Sequence, residues 1–193
     1  FCLSRGLGDV YKRQILEKPE DYLKMAANII NSYKKSKIVI VTSAMKGKTD
    51  SLYETFKRAI PSPDFWNMER FLPLGEIESS ILFESAFNFL KVRAKAILPW
   101  MKEWPIYISI ETKNSPEDKR NFNILNLSNI KVRKHFLPLF KKYRVLIIPG
   151  FVAKDGKGRI LTLGRGGSDI SGVLIAELLN LKEVIFLKDT GGI

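Results

Sequence analysis

The chain has little of what redox, metal and acid–base chemistry needs. Its 193 residues hold one cysteine, Cys2, and one histidine, His135. Residues 15–193 therefore carry no disulfide, no thiol nucleophile and no cysteine-based metal site. His135 sits in the helical run VRKHFLPLF, where a surface or boundary place accounts for it. No carboxylate cluster resembles an all-protein metal site. No apolar run reaches the roughly 20 residues of a membrane span, and the opening residues lack the apolar stretch of a secretory signal. These absences point to a soluble, cytoplasmic protein with no membrane partner. Acidic residues are outnumbered, 20 against 32 Lys and Arg, for a net charge of +12. The basic residues are scattered through helical stretches rather than gathered in an arm, the densest group being Lys131, Arg133, Lys134, Lys141, Lys142 and Arg144. Without finger spacing or aromatic–basic alternation, this argues against nucleic acid and for a solvated basic face that attracts anionic substrates.

The opening FCLSRGLGDVYKRQ has no apolar period and resembles a translated adapter or vector read-through. Residues 1–14 are therefore set aside as non-native, and residues 15–193 are read as one domain, long enough to bury a sizeable core.

Along that domain helical and strand patterns alternate. Residues 20–34 place Leu23, Ala26, Ala27, Ile30 and Tyr33 at helical spacing, with Pro19 suited to the first turn. Ile38 to Val41 form a short apolar run that reads as a strand buried on both faces. TDSLYETFKRAI resumes helical spacing and stops at Pro61, and GEIESSILFESAFNFLKV begins another helix near Gly75. IYISI (106–110) is a strand, and KVRKHFLPLFKKY a helix whose interior Pro138 opposes. YRVLIIPGF supplies a second buried strand. Residues 151–162 read as a hairpin turning at Asp155-Gly156, SDISGVLIAELLN as a helix, and KEVIFLKD as a last strand. Such alternation predicts an α/β fold with a largely parallel sheet.

TLGRGGSD, residues 162–169, concentrates three glycines, an arginine, a serine and an aspartate before an apolar helix. It is not a dinucleotide fingerprint: counted from Gly164, Asp169 stands where the third glycine belongs. Nor does Gly47-Lys48-Thr49 close a phosphate-binding P-loop, since Thr42 occupies its first glycine position. Glycines admit close backbone approach and positive φ. Ser168 or Asp169 can cap the helix, whose N-terminus favours anions, and Arg165 offers a planar fork for carboxylate or phosphate. The stretch reads equally as an anion-binding loop at a strand end or as an ordinary glycine-rich loop before a capped helix. Thr42 to Thr49 gathers hydroxyls and the lysines Lys46 and Lys48 at another strand end. Those residues suit the same chemistry, or simply start a helix capped by Thr49 or Asp50. Glu76, opening the helix at Gly75, is ordinary dipole compensation when taken alone.

Taken together, VIVTSAMKGKTDSL, LPLGEIESSILFESA, IIPGFVAKDGKGRILTLGRGGSDISGVLIAELL and VIFLKDTGGI resemble the aspartate kinases of the amino-acid kinase family, in the family's order. The resemblance implies a three-layer αβα sandwich around a mainly parallel sheet, the acetylglutamate kinase-like fold. It also implies transfer of the γ-phosphoryl group of Mg-ATP to the β-carboxylate of L-aspartate. That reaction opens lysine, threonine and methionine biosynthesis. By the same resemblance Arg165 grips the substrate α-carboxylate, Ser168 supports the substrate and Asp169 acts as the catalytic residue, orienting groups around the transferring phosphate. Ser43 and Thr49 position the reacting carboxylate, and Glu76 holds the ammonium group. Gly166, Gly167, Lys188, Asp189 and Thr190 fall on the nucleotide side. ATP and Mg2+ are the implied cofactors, with magnesium held mainly by nucleotide phosphates, and the complete protein is expected to be a homodimer. A carboxylate nucleophile is already ionised at neutral pH, so positioning and charge neutralisation suffice without a general base.

The chain departs from the family in two places. The Lys-Phe-Gly-Gly-Thr-Ser loop that supplies a catalytic lysine is missing, and the family's Thr-Asp pair reads Lys188-Asp189. The reading that follows is a catalytic domain truncated at both ends, nearly inactive as a kinase as written, with an exposed sheet edge where a first strand is lacking. A kinase for another carboxylate, a non-catalytic amino-acid- or nucleotide-binding protein, and a basic nucleic-acid binder are the competing readings.

Overall fold

The computed structural model describes residues 2–4, 18–62, 64–110, 121–181 and 184–186. In chain order its elements are β1 (Cys2–Ser4), α1 (Asp21–Ser32), β2 (Ile38–Thr42), α2 (Lys48–Ala59), α3 (Phe65–Phe71), α4 (Leu74–Phe89), β3 (Ala94–Ala96) and β4 (Ile108–Ile110). There follow β5 (Phe122–Ile124), α5 (Asn126–Lys131), β6 (Val145–Pro149), β7 (Val152–Lys154), β8 (Ile160–Thr162), α6 (Gly167–Leu178) and β9 (Val184–Phe186).

Side-chain alternation along β2 and β6 builds the layers. These strands are buried throughout and pair in parallel, Ile38 opposite Val145 through Thr42 opposite Pro149. Because successive side chains leave a strand on opposite faces, Ile38, Ile40, Val145 and Ile147 pack with Tyr22, Met25, Phe83 and Phe87 of α1 and α4. Val39, Val41, Leu146 and Ile148 pack on the other face with Trp104, Phe136, Leu161 and Ile175. Full burial of one such side chain contributes roughly 1.5–3 kcal/mol, so apolar runs in both strands favour a sheet covered on both sides. On the first face, the Tyr22 and Ser79 hydroxyls are hydrogen-bonded at 2.7 Å, and the Tyr22 ring meets Phe83 edge-on at 4.9 Å. Burial raises the Tyr22 phenol above its ordinary pKa.

Several sequence expectations change. The sheet order is β3-β6-β2-β1-β9, and β1 runs antiparallel to both neighbours. Cys2–Ser4 belongs to the stretch set aside from the fold, yet it covers the edge of β2 that was expected to be exposed. An unpaired edge of buried backbone groups accepts any extended segment within reach. IYISI contributes only Ile108–Ile110 as strand, paired with β5 outside the central sheet, while Tyr107 makes an isolated bridge to Lys154. The helix expected over 131–143 is broken as Pro138 demands. After α5 the backbone widens into a π-turn over Val132–Phe136 and tightens into a 3-10 turn over Leu137–Lys141. Proline lacks the N–H and crowds the carbonyl four residues back, so regular α geometry is lost there. Pro19 precedes α1 rather than joining its first turn.

The hairpin of β7 and β8 is present, but its connection is Asp155–Arg159, not a two-residue turn. The Asp155 carboxylate accepts from the Lys157 and Arg159 amides at 2.9 and 2.8 Å, and Gly158, not Gly156, takes the positive φ of 83°. Strand β3 and helix α3 lie in stretches that the sequence reading left without structure.

Candidate active site

The parallel strands β2 and β6 end side by side, and the loops after them open into a cavity of about 600 Å3. The N-termini of α2, α4 and α6 converge on it, bringing Thr49, Glu76 and Gly167-Ser168-Asp169 to its wall. Strand C-termini and helix N-termini together favour an anionic ligand. Glycine makes the convergence possible. A Cβ on Gly75 would stand 2.7 Å from the Ala44 Cβ, and one on Gly167 would stand 2.7 Å from the Phe151 ring.

The structure brings together every described residue of the sequence-based site. Ser43, Thr49, Glu76, Arg165, Gly166, Gly167, Ser168 and Asp169 all line this cavity. Lys188, Asp189 and Thr190 lie outside the described residues. The expected caps are corrected. Gly166 and Gly47 occupy the N-cap positions of α6 and α2, with φ of 79° and 75°, and neither helix has a side-chain cap. Ser168 and Asp169, like Thr49 and Asp50, therefore stand in the first turn, on the cavity wall. The lysines of the first loop also differ from expectation: Lys48 pairs with Glu78 at 2.8 Å, and neither Lys46 nor Lys48 lines the cavity. Arg165 is the basic side chain among the described residues that does, and it is exposed.

Glu76 is the electrostatic centre. It is 4 % exposed, and its Oε2 has no hydrogen-bond partner among the described residues. Burial pushes its carboxyl up to about 7, while its own amide and that of Ala44 pull it down. A buried, half-satisfied carboxylate at a cavity wall is a receptor for a cationic group. The backbone beneath it is fixed by the Thr42 hydroxyl, which donates to the Glu76 carbonyl at 3.2 Å and is bonded to the Ser80 hydroxyl at 2.8 Å.

Sequence reasoning missed the apolar part of the wall: Tyr53, Leu72 and Phe151. Tyr53 carried a usable signal, standing one helical turn beyond Thr49 on the same face. Phe151 carried none. It adopts φ of 67°, a conformation rare for an aromatic residue, held by its amide donating to the Ser171 hydroxyl at 3.0 Å and its carbonyl accepting from Leu163 at 2.8 Å. Glu69 was missed too. It is fully buried, and its Oε2 accepts from the Thr162 amide at 2.5 Å.

Residues 14–193 match the family described as Amino acid kinase family. An aspartokinase of Thermus thermophilus is 32 % identical over 171 residues, covering 88 % of this chain and 39 % of that protein. An aspartokinase of Helicobacter pylori is 31 % identical over 156 residues, covering 81 % and 35 %. The chain thus spans less than two-fifths of either relative's length. Among solved structures, E. coli aspartokinase III in complex with aspartate and ADP superposes with a TM-score of 0.64 at 19 % identity, over 83 % of this chain and 44 % of that one. Aspartate kinase from Synechocystis gives 0.62 at 24 % identity, over 86 % and 25 %. These likenesses show the fold, an α/β sandwich of amino-acid kinase type. The chain belongs to the amino acid kinase family.

Proposed function

We propose that the cavity binds L-aspartate and presents its β-carboxylate to the γ-phosphate of ATP, forming 4-phospho-L-aspartate and ADP. The observation that carries this reading is the pairing, on one cavity, of a buried carboxylate whose Oε2 has no partner among the described residues with an arginine: Glu76 and Arg165. An α-amino acid has the complementary pair, an ammonium for Glu76 and an α-carboxylate for the planar fork of Arg165. The relatives named aspartokinase, and the fold shared with a protein solved with aspartate and ADP, support the same choice.

Ser43 and Thr49 then hold the β-carboxylate, and Ser168 supports the substrate from the first turn of α6. One β-carboxylate oxygen forms a bond to the γ-phosphorus, and the bond from that phosphorus to the β,γ-bridging oxygen breaks, its electron pair leaving with ADP. The nucleophile is ionised at neutral pH, so the protein's contribution is in-line placement and charge neutralisation. Asp169 orients groups around the transferring phosphate, and the Gly166-Gly167 turn, closed by the Gly167 amide donating to the Gly164 carbonyl at 2.9 Å, approaches it at the N-terminus of α6. Bound Mg-ATP supplies the phosphoryl group. Asp50, Glu76 and Asp169 line the cavity, and among the described residues no group of three or more His, Cys, Asp or Glu is placed to hold a metal ion. This donor set fits a magnesium ion carried mainly by phosphate oxygens. Lys188, Asp189 and Thr190 are assigned to the nucleotide side. A cytoplasmic homodimer serving aspartate-family amino-acid biosynthesis completes the proposal; no helix among the described residues is long and apolar enough to cross a membrane.

The test is an aspartyl-hydroxamate assay on the full-length protein, with Arg165→Ala alongside. Hydroxamate formed by the parent and lost in the variant is expected. A folded parent that forms none at saturating ATP and aspartate excludes aspartate as the substrate.

A further inference from the structure

Among the described residues strand β8 has one partner, β7, so one of its edges meets no strand within the hairpin. The Leu163 amide points toward β7, donating to the Phe151 carbonyl at 2.8 Å. Successive amides along a strand alternate in direction, so the Thr162 amide points the opposite way, into buried space where Thr162 is fully enclosed. A buried N–H without an acceptor is strongly disfavoured. The acceptor comes from 93 residues away: Oε2 of Glu69, itself 0 % exposed, at 2.5 Å. This carboxyl does not line the cavity and has no part in the chemistry above.

Helix α3 is tied to the hairpin at two points. Trp66 and Glu69, three residues apart, share a face of the helix. The Arg159 guanidinium stacks on the Trp66 ring at 3.7 Å and is held by Asp155 at 2.7 Å, just before β8 begins. Glu69 holds Thr162, where β8 ends. The next residues are Leu163 and Gly164, then the exposed Arg165 and Gly166. Gly164 and Gly166 have φ of 75° and 79°, and among the described residues beyond its chain neighbours none comes within 4 Å of the place a Gly166 Cβ would take. The segment is held at both ends, by β8 before it and by α6 after it, where the Gly167 amide donates to the Gly164 carbonyl at 2.9 Å. A shift of β8 therefore moves the end that enters the turn.

We propose that Glu69 is a positioning residue for amino-acid recognition. By gripping the Thr162 amide it sets the height at which the Gly164–Gly166 turn leaves β8, and so places the Arg165 guanidinium on the cavity that Glu76 lines. Helix α3 also leads directly into Leu72, a residue of that wall, so one short element sets both the wall and the turn.

The experiment compares Glu69→Ala, Glu69→Gln and Glu69→Asp with the parent, in the full-length protein. Amide hydrogen exchange is the first readout and needs no substrate. Glu69→Ala is expected to speed exchange at residues 162–167 by about ten-fold or more while α4 stays protected, and Glu69→Gln, which keeps an oxygen acceptor, is expected to restore most of the protection. Unchanged exchange at 162–167 in folded Glu69→Ala overturns the proposal. If Glu69→Ala does not fold, Glu69→Asp decides, because its acceptor is drawn back by one methylene: faster local exchange supports the role and parental exchange overturns it. The kinetic readout rests on the aspartate kinase reading. The KM for aspartate is expected to rise about ten-fold in Glu69→Ala with the KM for ATP nearly unchanged, and Glu69→Gln to recover most of the loss. Parental KM for aspartate together with a lowered Tm marks a purely structural role and overturns the proposal. A parent inactive toward aspartate counts against the substrate assignment alone, and the exchange readout still decides for Glu69.

Discussion

Gly150, at the end of β6, donates its amide hydrogen to the Thr42 carbonyl at the end of β2 at 2.8 Å, and a Cβ on Gly150 would stand 2.7 Å from that same oxygen. The same Cβ would lie 3.0 Å from Cα and Cβ of Ser168. Two strands and the first turn of α6 therefore meet at an atom that is not there.

Gly150→Ala is expected to push these backbones apart, destabilising the fold by about 1–3 kcal/mol as overpacking does and displacing Ser168. A denaturant titration with an activity assay measures both. Parental stability and activity would falsify the close-approach argument.

Glu76 makes stability depend on pH. Its folded-state carboxyl titrates at about 7 against an ordinary 4.5. Between those values the unfolded chain releases the proton first, so the folded state binds more protons and ligand-free stability falls as pH rises. The full effect is on the order of 3 kcal/mol. Glu76→Gln should remove this contribution, so the two stability curves should converge below pH 4.5 and separate toward pH 7. Parallel curves across that window refute a buried titrating carboxyl.

The same group ties ligand binding to pH in the other direction. An ammonium needs the charged form, so the KM for aspartate should climb about ten-fold per unit as pH drops below the Glu76 value. In Glu76→Gln the KM should be high at every pH. A steep residual dependence in that variant assigns the titration to another group.

Arg165 and its nearest substitute separate charge from geometry. Arg165→Lys keeps the charge but loses the planar two-pronged donor, so it should recover only part of the loss seen in Arg165→Ala, which we expect to be about 100-fold or more in kcat/KM. Because Arg165 is exposed, both variants should unfold within about 0.5 kcal/mol of the parent. Equal rescue by lysine argues that a point charge is enough.

Adjacent glycines should behave differently. Gly166→Ala meets no described residue within 4 Å beyond its chain neighbours and bears only the left-handed φ of 79°, a penalty of about 1–2 kcal/mol. Gly167→Ala places a Cβ 2.7 Å from the Phe151 ring and 3.0 Å from the Leu163 Cβ, so it should be the more damaging to both stability and the cavity. Thermal melts of the pair give the order directly.

Much of this architecture was legible in the chain. The apolar runs of β2 and β6 predict strands buried on both faces, because no other short element hides such a run from water. The spacing of Leu52 and Phe56 predicts α2, and GEIESSILFESAFNFLKV reads as the helix that becomes α4. Ser43, Thr49, Glu76, Arg165, Ser168 and Asp169 were nameable through the resemblance to the aspartate kinases, since the residues by themselves read equally as anion-binding loops or as ordinary helix starts. Pro138 announced the broken helix after α5.

Other features needed the third dimension. Ala94–Ala96 is a strand only because β6 offers it an unpaired edge, and AKA has no pattern of its own. Cys2–Ser4 reads as nothing and still fills the edge of β2. Thr49 or Asp50 and Ser168 or Asp169 can cap their helices on the sequence alone, but Gly47 and Gly166 take those positions, because the left-handed turn that aims both first turns at the cavity is open to glycine. The raised pKa of Glu76 and the grip of Glu69 on Thr162 depend on burial and on contacts across the chain. Local propensity and periodicity decide which segments become strands and helices. Which carboxylate is sealed from water, and which amide it meets, is decided only when distant segments pack.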